Sequence, residues 1–143
     1  LKLSVVYLDG KGNYSSKKKQ KEIDSLISQY RAASKTNQSK VICCFDCDEY
    51  DSKQEDRKFL EDAEKFCKDK GYEFVWFCKD VEQVYIGKRV AAMQKKKEAA
   101  KFAEKKQINT VDPENLTAVK YRVNRSNIMK VLDGCPELIR KKS

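Results

Sequence analysis

The residues best placed to do chemistry lie in Val41-Ile-Cys-Cys-Phe-Asp-Cys-Asp-Glu-Tyr-Asp51, where an apolar run ends in Asp46, Asp48, Glu49 and Asp51. Val41 to Phe45 is too continuously apolar for a half-exposed strand and reads as one covered on both faces. In an open parallel sheet, ligands bind outside the carboxyl ends of strands, which is where this run delivers its acids. Asp46 and Asp48 lie two apart, so persisting strand geometry would put both carboxylates on one face. Two carboxylates so placed repel, and a divalent cation relieves the repulsion. Mg²⁺ or Mn²⁺ suits oxygen ligands supplied by one or two carboxylates beside substrate phosphates. The plainer reading of Asp48, Glu49 and Asp51 is that they occupy a turn and the first helical turn, where acids complement the helix dipole.

Six cysteines and no histidine exclude a Cys–His nucleophile, a Ser-His-Asp triad and histidine-ligated zinc within this chain. Cys44 and Cys47 form a CxxC with Cys43 beside it, but the pair straddles a strand end rather than opening a helix, as redox chemistry would want. Zinc would need a second ligand pair, and Cys67, Cys78 and Cys135 are scattered singly. These cysteines are therefore read as small buried hydrophobes, reduced in a cytoplasmic protein. No signal peptide and no apolar run approaching ~18 residues is present, so neither secretion nor membrane spanning is expected.

The net charge of +9, with 37% of residues charged, favours polyanionic partners, because each Lys or Arg near a phosphate releases condensed counterions. The densest basic run holds Lys88, Arg89, Lys95, Lys96 and Lys97. As a bland alternative it is a solvated helix face on which Lys97 and Lys101 repel.

The elements that must position these groups follow from periodicity. Leu3 to Leu8 reads as a strand closed by the turn Asp9-Gly-Lys-Gly-Asn13. Ser15 and Ser16 can cap a helix over 17–33, whose Ile23, Leu26, Ile27 and Tyr30 make one apolar stripe. After the strand at 41–45, Ser52 can cap a second helix over 53–70, with Gly71 as its C-cap. Tyr72 to Cys78 is a third strand. A third helix is expected from Asp80 through Val84, Tyr85, Val90 and Met93 into the Lys-rich segment ending near Lys106. The order βαβαβα predicts parallel strands with right-handed crossovers. Asp112-Pro113 marks a break, beyond which 115–125 is expected to be extended and Ser126 to cap a short helix ending near Gly134. The tail 137–143 looks like a terminus. The division is residues 1–107 as an α/β domain and 108–143 as a C-terminal extension.

A strand ending in Asp46-x-Asp48 inside such a unit resembles the Toprim domain of topoisomerases, primases and OLD-type nucleases. Leu8-Asp-Gly-Lys-Gly12, Cys44-Phe-Asp-Cys-Asp-Glu49, then a helix, Gly71 and a strand running toward Glu82 look like the RloB and AbiL-type branch. The resemblance spans roughly residues 2 to 90. It implies a parallel-sheet, Rossmannoid three-layer domain with a short helical C-terminal extension, binding Mg²⁺ or Mn²⁺. It further implies nuclease activity in bacterial antiphage defence, often beside an ATPase partner subunit. Asp46 and Asp48 would be the metal pair, with Glu49 supporting. Cys78-Lys-Asp-Val-Glu82 stands where the family has a motif resembling Asn-Pro-x-Phe-Glu, and keeps only Glu82 as a catalytic acid. The family glutamate after the first strand either precedes Leu1 or is replaced by Asp9; the spacing to Asp46 favours the former. Lys11, Lys88, Arg89, Lys95, Lys96 and Lys97 would hold the nucleic-acid backbone. The mechanism implied is metal-assisted phosphodiester hydrolysis, in which the cation polarises a phosphoryl oxygen and acidifies bound water. Two other functions stay open. One is a catalytically impaired Toprim-like module that binds nucleic acid or a partner ATPase. The other is a HAD-like phosphatase, which also uses Asp-x-Asp at a strand end.

Overall fold

A computed structural model describes residues 1–140. Its helices arise where the apolar stripe and the caps coincide. In α1, Lys17–Ala33, the Ser16 side chain accepts a hydrogen bond from the Lys19 backbone N–H at the first turn. In α2, Gln54–Lys70, the buried Leu60, Ala63 and Cys67 recur at helical spacing, and Gly71 closes the helix in the left-handed conformation at φ 74°. That conformation costs glycine nothing and would strain a residue with a Cβ. Glu55 and Asp56 in the first turn and Lys68 and Lys70 in the last complement the helix dipole. Ser52 does not cap α2; Lys53 holds the N-cap position without a side-chain bond.

Between α1 and α2 lies β1, Ile42–Asp46, and after α2 comes β2, Glu73–Cys78. The two pair in parallel, with Ile42 opposite Glu73 and Asp46 opposite Phe77. The α2 crossover makes this pairing feasible, since parallel neighbours cannot be joined by a tight turn. Cys43, Phe45, Trp76 and Cys78 face one side, where Leu60, Ala63 and Cys67 of α2 cover them. Val75 and Phe77 face the other, against Val84 and Leu116. Strand β2 is thus apolar throughout its second half because both of its faces are covered. Leu60 is fully buried, and such burial contributes about 1.5–3 kcal/mol.

Four further expectations fail. Leu3 to Leu8 does not join the sheet: it has no strand partner, and Leu3 and Tyr7 are 87% and 76% exposed. An apolar run shows a wish for burial, but only a neighbouring ladder makes a strand. The sheet instead takes its last strand, β3, from Arg125–Ser126, which pairs antiparallel with β2. It is a small mixed α/β sheet of order β1-β2-β3, not an all-parallel one. The long third helix is also broken. Helix α3 covers only Val81–Ile86 and ends at Gly87, left-handed at φ 86°. A 3-10 turn at Ala92–Gln94 then leads into α4, Lys95–Glu104. Val90 is buried, but Met93 is 94% exposed. Finally, the stretch expected to be extended opens with a 3-10 turn at Pro113–Leu116.

The short C-terminal helix forms as expected. It is α5, Ile128–Asp133, followed by Gly134, with the Ser126 hydroxyl accepting from the Ile128 N–H. The described part of 108–143 therefore packs on the same sheet as the first domain, through β3 and α5. The end of the tail, 141–143, lies outside the described residues. Among the described residues no helix is long and apolar enough to cross a membrane.

Candidate active site at the carboxyl rim of the sheet

The parallel pairing of β1 and β2 brings their carboxyl ends together and extends past the strands. The Cys47 N–H donates to the Phe77 carbonyl at 2.9 Å, and the Asp48 N–H to the Lys79 carbonyl at 2.8 Å. Asp46, at the tip of β1, accepts a hydrogen bond on Oδ1 from the Val81 N–H at 3.0 Å. Asp80 caps α3 by accepting from the Gln83 N–H. Asp46, Asp80 and Glu82 thereby gather where β1 ends and α3 begins.

Burial pushes the Asp46 carboxyl up to about 6, and the charges of Glu82, Asp80 and Asp48 push the same way; only the Val81 N–H opposes them. Lys95, at the start of α4, is the cation facing this cluster. Its Nζ lies 3.0 Å from Asp80 Oδ2 and 3.9 Å from Glu82 Oε2. The longer distance is an ion pair without a hydrogen bond, which leaves the buried Glu82 Oε2 without a hydrogen-bond partner.

Asp48 behaves differently from the strand-like partner expected of it. The strand geometry does not persist: Asp48 is left-handed at φ 48°. Its carboxylate meets Lys11 Nζ at 2.6 Å, and the same Nζ meets Asp56 at 2.7 Å. Burial works against the charge on Lys11, but the hydrogen bonds to Asp48 and Asp56 outweigh it and raise its pKa. Lys11 also sits 4.9 Å above the Phe59 ring. It reaches this position because Tyr14, three residues on, is wedged edge-on against Phe45, Phe59 and Phe66.

Two clefts meet at Asp48. One, of about 320 Å³, is floored by Leu8, Cys44, Phe45 and Phe59, with Asp46 and Lys11 in its wall. The other, of about 430 Å³, is charged and includes Lys53, Lys79, Asp80, Arg89 and Lys95. Of the residues singled out from sequence, Asp46, Asp48, Glu49, Lys11, Arg89 and Lys95 line one or both clefts. Glu82 adjoins them through Lys95 and Asp46. Glu49 is engaged by Lys79 at 3.0 Å, and that hydrogen bond holds its carboxyl below the usual range. Asp9 lines neither cleft; it pairs with Lys19 at 2.9 Å, which lowers its pKa. Lys88, Lys96 and Lys97 are exposed and line neither cleft.

Sequence reasoning passed over Lys79 and Asp80. Both directly follow β2, so the carboxyl-edge rule that singled out Asp46 also selects them. Lys53 carried no comparable signal.

The cysteine expectation needs two corrections, a disulfide and the exposed Cys44. Cys47 and Cys78, at the ends of the two parallel strands, are joined as a disulfide, with Cα atoms 5.0 Å apart, inside the usual disulfide range. Neighbouring strand ends had placed them side by side, which 31 residues of separation conceals. Cys43, Cys67 and Cys135 are buried free thiols, as expected, and Cys44 is exposed.

No three Asp, Glu or Cys side chains among the described residues converge as a metal-binding group. Asp46 and Glu82 are the two carboxylates that could hold a cation, which water and a ligand would then complete: Asp46 is ionised only reluctantly and Glu82 has a buried oxygen with no donor. Compared with known proteins, the chain matches no family model, no curated protein and no solved structure.

Proposed function

We propose that this protein hydrolyses phosphodiester bonds of nucleic acid with a divalent cation, Mg²⁺ or Mn²⁺, at the carboxyl rim of the sheet, in a Toprim-like arrangement. The observation that carries the reading is the surplus negative charge around Asp46. Burial and three neighbouring acids raise its carboxyl to about 6, and perturbed acids in a cleft mark functional sites. Asp46 and Glu82 would hold the cation. When bound, such a cation polarises a phosphoryl oxygen and makes its water more acidic. The Val81 N–H fixes the Asp46 carboxylate by occupying Oδ1, which leaves Oδ2 for the cation. Lys95, held by Asp80, stands ready to offset charge building on the phosphoryl oxygens.

A binding-only module is favoured by one observation: Asp48 is committed to Lys11 and Asp9 to Lys19, so two of the acids the resemblance calls on are already paired. Cleavage of end-labelled DNA and RNA in Mg²⁺ or Mn²⁺ separates the two. The hydrolytic reading expects cleavage that EDTA stops and that Asp46→Asn and Glu82→Gln each reduce at least a hundredfold. Absence of cleavage with either metal, or full activity in both variants, overturns it. Faster hydrolysis of a small phosphomonoester than of any oligonucleotide would instead favour the phosphatase reading.

A further inference from the structure

The two clefts that meet at Asp48 differ in chemistry. The floor of one is Leu8, Phe45 and Phe59, a surface suited to a flat apolar ring. The other carries Lys53 and Arg89, both exposed and neither in an ion pair among the described residues, whereas Lys79 and Lys95 are committed to acids. The acids that line this cleft are each paired with a lysine, Asp48 and Asp56 with Lys11, Glu49 with Lys79 and Asp80 with Lys95, so Lys53 and Arg89 are two unspent cations that complement a phosphate.

We propose that this pair of clefts takes one unpaired nucleotide of a nucleic-acid strand, its base in the Leu8–Phe45–Phe59 cleft and its phosphate between Lys53 and Arg89. The inference rests on the phosphodiester reading above and narrows its substrate class to single strands or splayed ends. In a duplex each base is stacked and paired and cannot enter a side cleft without being flipped out. A single strand presents both parts at no such cost, and base contact with apolar or aromatic side chains tolerates any sequence. Lys11, bonded to Asp48 and lying over Phe59, stands at the junction of the two clefts. The Lys-rich face of α4, with Lys96 and Lys97, lies outside both clefts and plays no part in this contact.

The test is binding rather than turnover, so it stands apart from the hydrolytic reading. Fluorescence anisotropy of the full chain in EDTA would compare labelled single-stranded DNA and RNA 12-mers with the blunt duplexes of the same sequence. Single strands are expected to bind at least tenfold more tightly. Arg89→Ala and Lys53→Ala, both at exposed positions, should each weaken single-strand binding about three- to tenfold. Phe59→Leu, which removes a ring that a base would lie against while keeping the site apolar, and Leu8→Ser, which makes its floor polar, should each bring single-strand affinity down toward the duplex value. Duplex binding as tight as single-strand binding overturns the inference, even if cleavage is observed. So does a single-strand preference that survives both Phe59→Leu and Leu8→Ser. A preference that appears as expected in a protein that cuts nothing upholds the inference and sinks only the hydrolytic reading.

Discussion

Asp46 Oδ1 and the Val81 backbone N–H are 3.0 Å apart, so the end of β1 is tied directly to the first turn of α3. The bond holds the carboxylate still without neutralising it. A single N–H cannot balance burial together with Glu82, Asp80 and Asp48, and the carboxyl rises from its ordinary 3.8 to about 6.

A pH-dependent gain in stability on substituting Asp46 follows. Because its folded pKa lies above the unfolded one, Asp46 contributes stability that is full below pH ~4 and lost as pH rises through ~6. Above that, the ionised group burdens the fold by on the order of 1–3 kcal/mol. Asp46→Asn keeps the acceptor for Val81 and removes the charge. In EDTA it should be more stable than the parent by about that amount at pH 8 and no more stable at pH 4, as read by urea denaturation. An equal effect at both pH values would show that the charge is not what burdens the site.

Lys11 is expected to compete with added cations. It bridges Asp48 and Asp56 at 2.6 and 2.7 Å, and its charge suppresses that of both acids toward any other partner. Being 40% exposed, the pair with Asp48 contributes no more than about 1 kcal/mol to stability. Lys11→Ala should therefore cost little in folding. It should also tighten Mn²⁺ binding several-fold by isothermal titration, since Asp48 is freed to support Asp46. Unchanged or weaker Mn²⁺ binding would mean that Asp48 has no share in the cation site.

Much of this architecture is legible in the residues. Helix α1 runs over Lys17–Ala33, as its apolar stripe and the serine before it require, and the ends of β1 and α2 fall close to where apolar continuity and Gly71 place them. Those signals are local. The features that escaped are long-range. Nothing near Leu3 to Leu8 reveals whether a neighbouring strand exists to receive it. A two-residue strand such as Arg125–Ser126 is too short for any period. In the site, Asp46 stood out because a run of apolar residues precedes it, whereas the pairing of Asp48 with Lys11 joins residues 37 positions apart through a left-handed turn that only the folded chain displays.

The Cys47–Cys78 link should be countable. Thiol titration in denaturant is expected to find four reactive cysteines before reduction, Cys43, Cys44, Cys67 and Cys135, and six afterwards. A crosslink spanning 31 residues restricts the unfolded chain enough to stabilise the fold by about 2–4 kcal/mol. Urea midpoints with and without reductant would measure that difference. Six thiols in the untreated protein would return both cysteines to the role of packed hydrophobes.

Asn127 replaces a strand. The far edge of β2 is paired with β3 only at Phe77 and Cys78, which leaves the backbone around Trp76 in need of partners. The Asn127 side chain supplies them: its Oδ1 accepts from the Trp76 N–H at 2.9 Å, and its Nδ2 donates to the Phe74 carbonyl at 2.8 Å. One amide thus completes two ladder positions, and it does so because Ser126, buried at 0% exposure, fixes the start of α5. Asn127→Ala strips a donor and an acceptor from the partners of a buried strand, at about 1–3 kcal/mol for each group left unpaired. The variant should lose about 2–4 kcal/mol in urea denaturation followed by the fluorescence of Trp76, the chain's single tryptophan. Asn127→Asp keeps the acceptor but sets a carboxylate against the Phe74 carbonyl, so it should be destabilised as well, and less so at pH 4, where the protonated acid can donate. A loss under about 0.5 kcal/mol in Asn127→Ala would mean that water reaches this edge and that β3 alone holds it.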